Sequence, residues 1–537
     1  MQVRQWVAMC SVLAAAHAAR ILVLLPTNTR SHYAMYGKLV EGLAKKNHQL
    51  TVVSHFPMKN APSNVEEISL AGTIPEITNN LTKQQYSWKP DMVRNLENIM
   101  KECVQACDIV SRMPAVKALV NSSLSFDLVI VEVFGSECFL PLGHRFEAPV
   151  VGFLSSVPPP WFNEQIGNPE ATAYVPAYMT GFGQHMNLWE RFANTISVIG
   201  AKILYRYKSQ IPSQAIADRL FGIGPKLESL AQNYSLVISN SHFSINEVRP
   251  MVPTIVEVGG LHLDDSQKLT KELKSLLDAA DEGVIYWSFG SMSRIETIPS
   301  ERLAQIFEAI SELSQTVLVK MDRRRLAANL TVPDNVYTMN WIPQYATLCH
   351  PNIRLFISHG GLLGTQEAVA CGVPMLTVPL YADQALNARS MSDRGVSRTI
   401  SLKDNTDVWR EALQDIIMNA NYKENMLRLR DVFLDRPMPP LETGIYWIEY
   451  VLRHKGATHL RSPALDLTMP QYLLLDVAAL SIAIVVMTTY ILHILFRYLC
   501  TRCIKWWPKE KLVFEKRLAR NFSVFLCLLW RYKPKAN

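Results

Sequence analysis

A glycine turn between a predicted strand and a predicted helix is the feature of this sequence that most clearly suggests chemistry. Residues 354–358, RLFIS, form a short apolar run typical of a buried parallel strand, and His359, Gly360 and Gly361 follow directly. Residues 362–372 then have helical spacing and end on a glycine. A glycine pair lets the backbone approach a ligand, and a helix start offers N–H groups to an anion. The turn therefore predicts a phosphate site, to which His359 adds a donor.

Side chains around this turn fit the remainder of a nucleotide. Glu367 lies further into the predicted helix and could accept hydrogen bonds from ribose hydroxyls. Asp383 and Gln384 follow the next predicted strand at its carboxyl end, where open α/β sheets bind ligands. Trp341 offers a flat face to a base, and Gln344 offers an amide to the edge of that base. The glycine turn alone fits an ordinary βαβ unit better, but the ordered set favours a nucleotide site.

This stretch resembles the donor-binding signature of the UDP-glycosyltransferases, in their animal, membrane-bound branch. The matching residues are W-x-P-Q at 341–344, S-H-G-G at 358–361, Glu367, G-V-P at 372–374 and D-Q at 383–384, with SFGSMS at 288–293 in addition. In that family the tryptophan and glutamine hold uracil, the glutamate holds ribose, the His-Gly turn holds the diphosphate, and the D-Q pair holds the sugar. The resemblance implies a UDP-sugar donor bound by Ser291, Trp341, Gln344, His359, Gly360, Gly361, Thr365, Glu367, Asp383 and Gln384.

One position departs from the family's pattern. Many relatives carry an asparagine three residues after the first glycine of the turn, where this chain has Leu363. A side-chain contact to phosphate or sugar is therefore absent or replaced, which leaves the sugar less well defined. We expect UDP-glucose as the donor, with UDP-glucuronate as the alternative.

Sugar transfer to an alcohol or phenol needs a base for the acceptor's proton, and His32 is our candidate. It follows the strand predicted at 21–26, in a loop at the carboxyl end that faces the ligand. An unperturbed histidine titrates near neutral pH, which suits this role. Relatives orient the histidine with an aspartate at a place that aligns with Glu132, and Glu137 is the competing candidate. A surface histidine and ordinary loop carboxylates are the alternatives.

The leaving diphosphate needs hydrogen bonds or positive charge. The helix start at Gly360 and Gly361, together with His359 and Ser291, would supply them. No carboxylate pair with metal-ligand spacing, such as D-x-D, stands at the donor turn. The resemblance implies inversion at the anomeric carbon without a metal, and we expect no cofactor besides the UDP-sugar co-substrate.

The elements that must position these residues form two α/β halves. Strand, helix and strand patterns alternate from residue 21 to residue 56, and a similar pattern restarts at 283–293. The resemblance implies the GT-B architecture, which is two Rossmann-like domains facing across a cleft, here with one C-terminal transmembrane helix. The predicted segments are a signal peptide at 1–18, an N-terminal acceptor-binding domain at 19–260, a linker at 261–282, a C-terminal UDP-sugar-binding domain at 283–455, a lumenal juxtamembrane segment at 456–476, the transmembrane helix at 477–496 and a basic cytosolic tail at 497–537.

Two further regions of the chain add to this two-domain prediction. The helix predicted around 443–456 would cross back onto the first half. Residues 158–183 are rich in proline, glycine and aromatic residues, and loops of that length are usually functional. Their apolar character suits either an acceptor pocket or a patch that touches the membrane.

Both ends of the chain carry membrane and targeting signals. Residues 6–16 are an apolar core before the small-x-small cleavage pattern at 16–18. Residues 477–496 have no formal charge and are long enough to span a bilayer, and a basic run follows, which marks the cytoplasmic side. Lys533 and Lys535 resemble the dilysine signal of the endoplasmic reticulum. We therefore expect a single-pass type I protein of that membrane, with its body in the lumen.

Composition excludes some other classes. The 537 residues are enough for two or three domains, and 49% are apolar. The net charge of +7 comes largely from the tail, so we do not expect nucleic-acid binding. Nine cysteines do not indicate a disulfide scaffold, and an odd number of them would be lumenal, so at least one thiol is free. Cys103 and Cys107, four residues apart in a predicted helix, are poorly placed to bridge each other.

These observations predict an enzyme that moves a hexose from a UDP-sugar to a hydroxyl of a small lipophilic acceptor, as in detoxification. A non-catalytic, membrane-tethered protein that binds UDP-sugars or lipophiles is the alternative, which Leu363 and Glu132 keep open. The sequence is compatible with homo-oligomers and with hetero-oligomers.

Overall fold

The computed structural model describes residues 18–75, 79–81 and 92–506. The predicted signal peptide lies outside these ranges apart from Ala18. The tail from residue 507 onward also lies outside them, and with it the predicted dilysine signal at Lys533 and Lys535.

The first half is built on a parallel sheet. Its strands among the described residues are β1 (Arg20–Leu24), β2 (Gln49–Ser54), β3 (Val65–Ser69), β4 (Asn79–Asn80), β5 (Leu128–Glu132), β6 (Val150–Leu154), β7 (Tyr234–Ser239) and β8 (Ile255–Glu257). All but β4 form one sheet in the order β3-β2-β1-β5-β6-β7-β8, and every neighbouring pair is parallel. Every residue of β5 is buried, as expected for a strand covered on both faces.

Helices cover both faces of this sheet. Alternate residues of β1 show this, because Leu22 and Leu24 belong to one apolar cluster and Ile21 and Val23 to another. The helices of the first half are α1 (Arg30–Lys45), α2 (Met92–Arg112), α3 (Pro114–Val120), α4 (Pro141–Arg145), α5 (Pro160–Gln165), α6 (Leu188–Tyr205), α7 (Ile211–Phe221), α8 (Leu227–Ala231) and α9 (Phe243–Asn246), with a π-helical turn at Arg206–Gln210.

The second half repeats the parallel arrangement. Its strands are β9 (Val284–Ser288), β10 (Ser293–Arg294), β11 (Thr316–Lys320), β12 (Val336–Met339), β13 (Ile353–Ser358), β14 (Met375–Thr377) and β15 (Ser397–Thr399). All but β10 form a parallel sheet in the order β12-β11-β9-β13-β14-β15. In β9, Ser288 pairs with Ser358 of β13 and Trp287 pairs with Val319 of β11. The segments that follow these three strands therefore lie side by side.

Helices of the second half and the chain after it complete the fold. They are α10 (Lys271–Asp278), α11 (Ser300–Ser311), α12 (Gln344–Leu348), α13 (Leu362–Ala370), α14 (Gln384–Asp393), α15 (Thr406–Met418), α16 (Ala420–Leu434), α17 (Pro440–Arg453), α18 (Met469–Tyr472) and α19 (Leu475–Trp506), with short 3-10 turns at Ile295–Thr297, Arg323–Arg325, Thr458–Leu460 and Pro463–Asp466. Helix α10 falls inside the predicted linker 261–282, but its Leu273 and Leu277 are buried in the core of the second half. Much of that linker is therefore part of a domain.

Two connections join the halves. Strand β10 pairs in parallel with β4, which precedes it by about two hundred residues of chain. Helix α17 returns to the first half, where Ile445, Ile448 and Val451 are buried in the cluster that contains Ile21 and Val23. The predicted crossing of this helix is confirmed, and the last helix of the segment assigned to the second domain is packed against the first sheet.

Two disulfides link cysteines that the sequence did not pair. Cys107 is bonded to Cys138, and Cys349 is bonded to Cys371. Cys103 is free and buried, which agrees with the expectation of an unpaired thiol.

Among the described residues, those from Asp466 to Trp506 form a separate compact unit. Helix α19 contains the predicted transmembrane segment 477–496 and continues past it to Trp506. The stretch Leu475–Arg502 is long and apolar enough to cross a membrane, by length and composition.

Candidate active site

A cleft of about 1300 Å³ is lined by both halves. Its walls include the segments that follow β1, β9, β13 and β14, which are the carboxyl ends of parallel strands, where α/β sheets bind ligands. The predicted site residues that line it are His32, Ser291, Trp341, Gln344, His359, Gly361, Glu367, Asp383 and Gln384. Residues far apart in sequence thus share one hollow.

His32 lies in the first turn of α1, and its ring reaches Glu132 at the end of β5. Strands β1 and β5 are neighbours with Leu24 opposite Val131, so residues that follow β1 meet the end of β5. The distance from His32 Nδ1 to Glu132 Oε1 is 2.6 Å. Because a carboxylate only accepts hydrogen bonds, Nδ1 carries the proton, and Nε2 of the neutral ring keeps its lone pair.

Three neighbours hold this pair in place. Thr27 Oγ1 donates to the other oxygen of Glu132 at 2.6 Å, and the Ser155 hydroxyl lies 3.1 Å from His32 Nε2. Phe134 meets the His32 ring edge to face at 5.0 Å. The side chain of His32 is 14% exposed and that of Glu132 is 2% exposed. Such a pair can take a proton from a bound hydroxyl and stabilise the imidazolium that results.

Glu137, the competing candidate, does not reach His32 in the described structure. It is buried beside Tyr205 and Gln165, and burial raises the pKa of Glu137 to about 7 although those two side chains act to lower it. The residue follows the same strand as Glu132 but points into the first half. The structure therefore places Glu132, and not Glu137, against the histidine.

The glycine turn has the geometry that the sequence suggested. Gly360 has a φ of +81°, in the left-handed region that favours glycine, and its N–H donates to Ser358 Oγ at 3.1 Å. Helix α13 then begins after Gly361, which supplies no capping side chain. The N–H groups of the first helical turn are therefore available to an anion.

Two predicted donor contacts are not cleft-lining side chains. Thr365 is fully buried, and its hydroxyl donates to the Gly361 carbonyl oxygen at 3.0 Å within its own helix. A threonine can satisfy its hydroxyl on the carbonyl four residues earlier, so the Thr365 side chain is held within α13 and does not line the cleft. The contact between Thr365 and the donor stays a prediction. Gly360 does not line the cleft. Its contribution to the site is the left-handed backbone conformation that the turn requires.

His359 lies between two glycines. A Cβ added to Gly290 would come within 2.8 Å of the His359 ring, and one added to Gly361 would come within 2.6 Å. Burial, together with the charge of Lys320, lowers the pKa of His359 to about 4. Its Nδ1 is buried without a hydrogen-bond partner among the described residues. The neutral ring can therefore offer a hydrogen bond to a ligand, and it adds no charge.

Replacing Gly361 with alanine tests this close approach. Gly361 has a φ of −64°, which any residue adopts, so the new methyl group acts only by colliding with the His359 ring. We expect the UDP affinity to fall by about tenfold, which corresponds to the loss of about one hydrogen bond to a charged group. Titration calorimetry with UDP measures this.

The matched control for that variant is Gly200→Ala, because a Cβ at Gly200 meets no atom within 4 Å. It should leave UDP affinity unchanged. Equal affinities in the two variants would contradict the role given to the His359 contact.

Tyr286, Gln344 and Glu367 are linked by hydrogen bonds in the part of the cleft predicted to bind the nucleoside. Gln344 Nε2 donates to Glu367 Oε2 at 2.5 Å, and Tyr286 OH donates to Gln344 Oε1 at 3.2 Å. His262 Nε2 lies 3.7 Å from the other Glu367 oxygen and 3.3 Å from the Leu363 carbonyl oxygen. Burial raises the pKa of Glu367 to about 7. The carboxylate is thus held in place and titrates near neutrality.

Trp341 projects into the cleft with 63% of its surface exposed. The Lys320 ammonium lies 5.2 Å from its ring centroid and the Arg30 guanidinium 5.8 Å. Arg30 comes from the first half and Trp341 from the second, so this cation–π contact spans the cleft. A flat ligand that stacks on this ring must share it with these cations or displace them.

Asp383 and Gln384 stand where α14 begins. Asn387 Nδ2 donates to Asp383 Oδ2 at 3.0 Å, and Gln384 Oε1 accepts the N–H groups of Leu380 and Tyr381 at 2.7 Å and 3.0 Å. Burial raises the pKa of Asp383, and the nearby imidazole of His32 opposes this. The base candidate of one half therefore faces the carboxylate of the other.

Sequence reasoning missed Lys320, Ser155 and His262. Lys320 ends β11, next to β9, and its ammonium donates to the Gly290 carbonyl oxygen at 2.6 Å. A polar residue at the end of a buried strand was the one available signal for Lys320 and Ser155. Nothing local marks His262, because only folding brings it to Glu367.

Comparisons with known proteins identify the family. Residues 19–510 match the family described as UDP-glucoronosyl and UDP-glucosyl transferase. The chain belongs to the UDP-glycosyltransferase family. UDP-glucosyltransferase 2 of Dactylopius coccus is 34% identical over 95% of this chain and 98% of its own length. UDP-glucuronosyltransferase 1-2 of Rattus norvegicus is 35% identical over 71% of each chain.

A solved structure supports the fold of this UDP-glycosyltransferase. The glycotransferase of kitacinnamycin aligns with a TM-score of 0.52 and 18% identity over 81% of this chain and all of that chain. The predicted GT-B class, with two Rossmann-like parallel-sheet domains, is confirmed. As a member of the family, the protein is an enzyme that uses a UDP-sugar donor and an acceptor. One long apolar C-terminal helix fits a membrane-anchored form.

Proposed function

We propose that this UDP-glycosyltransferase moves glucose from UDP-glucose to a hydroxyl of a small lipophilic acceptor, with inversion and without a metal. The observation that carries the proposal is the His32–Glu132 pair, whose Nδ1 to Oε1 distance is 2.6 Å, in the same cleft as the glycine turn at Gly360 and Gly361. A base from one half and an anion site from the other meet there. A merely sugar-binding protein has no need of the oriented histidine.

In the proposed reaction the acceptor hydroxyl replaces the seryl hydroxyl at His32 Nε2 and gives its proton to that nitrogen. The acceptor oxygen attacks the anomeric carbon as the bond from that carbon to the β-phosphate oxygen breaks. UDP leaves with the bonding electron pair, and Glu132 stabilises the imidazolium. The N–H groups at the start of α13, the His359 ring and Ser291 hydrogen-bond the diphosphate. Uracil stacks on Trp341, and Glu367 accepts from the ribose.

The sugar side favours a neutral hexose over a uronate. Leu363 borders the cleft with an apolar side chain that offers no hydrogen bond to an acidic group. The Dactylopius coccus relative, matched over nearly its whole length, is named a glucosyltransferase.

The acceptor side of the cleft contains an apolar patch among polar side chains such as Asn98, Glu102 and Gln105. Its wall in the first half includes Ile74, Ile99, Ala106, Ile109 and Phe134. Such a wall gains free energy by burying apolar surface, which suits a lipophilic phenol or alcohol. A detoxifying role follows from acceptors of this kind. We further propose that α19 spans the membrane of the endoplasmic reticulum once and leaves the body in the lumen.

A donor panel tests the proposal. Microsomes that contain the full chain are given UDP-glucose, UDP-glucuronate or UDP-galactose with several phenols, and the products are identified by mass. We expect glucosides to form fastest. Glucuronides as the main product would overturn the choice of sugar, and UDP binding without any product would support the non-catalytic alternative.

The pKa of Glu367 predicts how donor affinity depends on pH. A carboxyl with a raised pKa of about 7 is half ionised at neutral pH and mostly ionised only above it, and the ionised form is the better acceptor for both ribose hydroxyls. UDP affinity should therefore rise as pH rises from about 6 to about 8, by up to about tenfold for one proton. Calorimetry of UDP binding measures this without the reaction. Glu367→Gln should bind UDP weakly at every pH, and a slope that persisted in this variant would contradict the assignment.

A further inference from the structure

One helix of the first half exposes an apolar face. Helix α6 continues through the π-helical turn at Arg206–Gln210 into α7. We name as the outer stripe the residues Trp189, Phe192, Ile196, Ile199, Ile203 and Tyr207. Their exposed fractions range from 48% to 77%. Steps of three or four residues put them on one side of the helix, and at about 1.5 Å per residue the outer stripe is about 27 Å long.

The outer stripe is not the face by which the helix packs. Asn194, Val198, Ala201 and Tyr205 are the buried residues of α6. The helix is therefore apolar on its outer side as well as along much of its inner side. Soluble monomers rarely expose a contiguous apolar surface of this size, so the outer stripe indicates a partner.

Basic side chains accompany the outer stripe. Residues 188–211 contain one acidic residue, Glu190, and the basic residues Arg191, Lys202, Arg206 and Lys208. Arg206 and Lys208 each meet a single carboxylate, at 3.6 Å and 2.6 Å, yet their side chains stay 58% and 50% exposed. Exposed ion pairs of this kind are weak, so these two side chains can exchange their carboxylate partners for anionic lipid headgroups.

We propose that the outer stripe lies in the headgroup region of the bilayer that α19 crosses. Tryptophan, tyrosine and basic residues collect at membrane interfaces, and helices with such a face lie along them. The same chain carries the candidate span Leu475–Arg502, so the proposed anchor and the outer stripe would share one bilayer. The inference rests on that proposed anchoring and is independent of which sugar is transferred.

The inner face of the same helix leads to the cleft. Tyr205 stacks on Trp161 with ring centroids 5.3 Å apart, and Trp161 meets Tyr178 edge to face at 6.2 Å. Tyr178 lines the cleft and shares a hydrogen bond with Ser156 at 3.1 Å. A lipid-bound helix would therefore place the acceptor side of the cleft near the pool of lipophilic acceptors in the bilayer.

Depth-dependent quenching of Trp189 tests the proposal on the full chain. The protein is reconstituted in phosphatidylcholine and phosphatidylserine vesicles, with and without lipid brominated near the headgroup. The emission of the wild type minus that of Trp189→Phe reports Trp189 alone. We expect bromolipid to quench this difference by about twofold, because bromine acts only at short range.

Trp341→Phe is the matched control. Trp341 is similarly exposed but lies in the cleft. The emission of the wild type minus that of Trp341→Phe should therefore not change with bromolipid. Phe192→Glu with Ile199→Glu, a pair of changes at exposed positions, should abolish the quenching of Trp189 and leave the melting temperature unchanged.

The possible outcomes distinguish a failure of the outer-stripe proposal from a failure of the proposed membrane anchor. A chain that does not float with the vesicles overturns both. A chain that floats while Trp189 is unquenched overturns the inference alone and leaves the anchor standing. Shielding of Trp189 in detergent, with cross-links between copies, would assign the outer stripe to a dimer and would also overturn it.

Discussion

The His32→Ala variant should lose about a thousandfold in kcat, which is within the range of general base catalysis. UDP affinity should stay unchanged, because the contacts proposed for the nucleotide come from the other half of the chain. Glucoside formation under saturating donor measures the first quantity, and calorimetry measures the second. Loss of UDP binding together with activity would instead indicate that the histidine supports the fold of the cleft.

Glu132, which ends β5, and Glu137, which follows it, supply a matched pair of variants for the same mechanism. Glu132→Gln removes the acceptor that fixes the His32 tautomer and should lower kcat by about a hundredfold or more. Glu137→Gln makes the same chemical change five residues later, where no contact with His32 exists among the described residues, and should leave kcat unchanged. Equal losses in both variants would contradict the pairing of His32 with Glu132.

Replacing Lys320 with methionine should lower kcat/KM by about a hundredfold, which is typical for a lost group at a charged leaving site. The ammonium holds the Gly290 carbonyl oxygen at 2.6 Å and thereby shapes the turn that presents Ser291. Burial lowers the pKa of His359, and the charge of Lys320 adds to that effect. Removal should therefore affect kcat more than the KM for the donor, since charge develops on the diphosphate as the bond breaks.

The arginine variant provides the control for Lys320. Lys320→Arg keeps the charge and a donor, and it should recover most of the loss. If Lys320→Arg is as inactive as Lys320→Met, packing at this position matters more than charge. Steady-state kinetics at fixed acceptor concentration separates the two cases.

Sequence pattern and family resemblance predicted the elements better than the contacts between them. Strands such as β5 are short apolar runs, so their identity is local information. The meeting of His32 with Glu132 depends on β1 and β5 being neighbours, which no local pattern shows. The sequence could not decide between Glu132 and Glu137 because both lie near the carboxyl end of β5, and only the direction of each side chain decides.

Long-range pairings were missed for the same reason. The two disulfides join cysteines 31 and 22 residues apart, and neither spacing is a signal by itself. Little in the sequence distinguishes Lys320 from other lysines, because its contact with Gly290 depends on the pairing of β11 with β9. The face of α6 that points outward cannot be read from its sequence, because both faces contain apolar residues.

The return of α17 to the first sheet bears on how the protein is made. Ile445, Ile448 and Val451 cover a face of that sheet, yet they leave the ribosome long after its strands do. The nascent chain must therefore carry an uncovered apolar surface through most of its synthesis, when aggregation competes with folding. Hybrid enzymes that exchange only the first 260 residues between relatives would pair a sheet with a foreign helix, whereas hybrids that also exchange residues 440–453 would keep the native partners together.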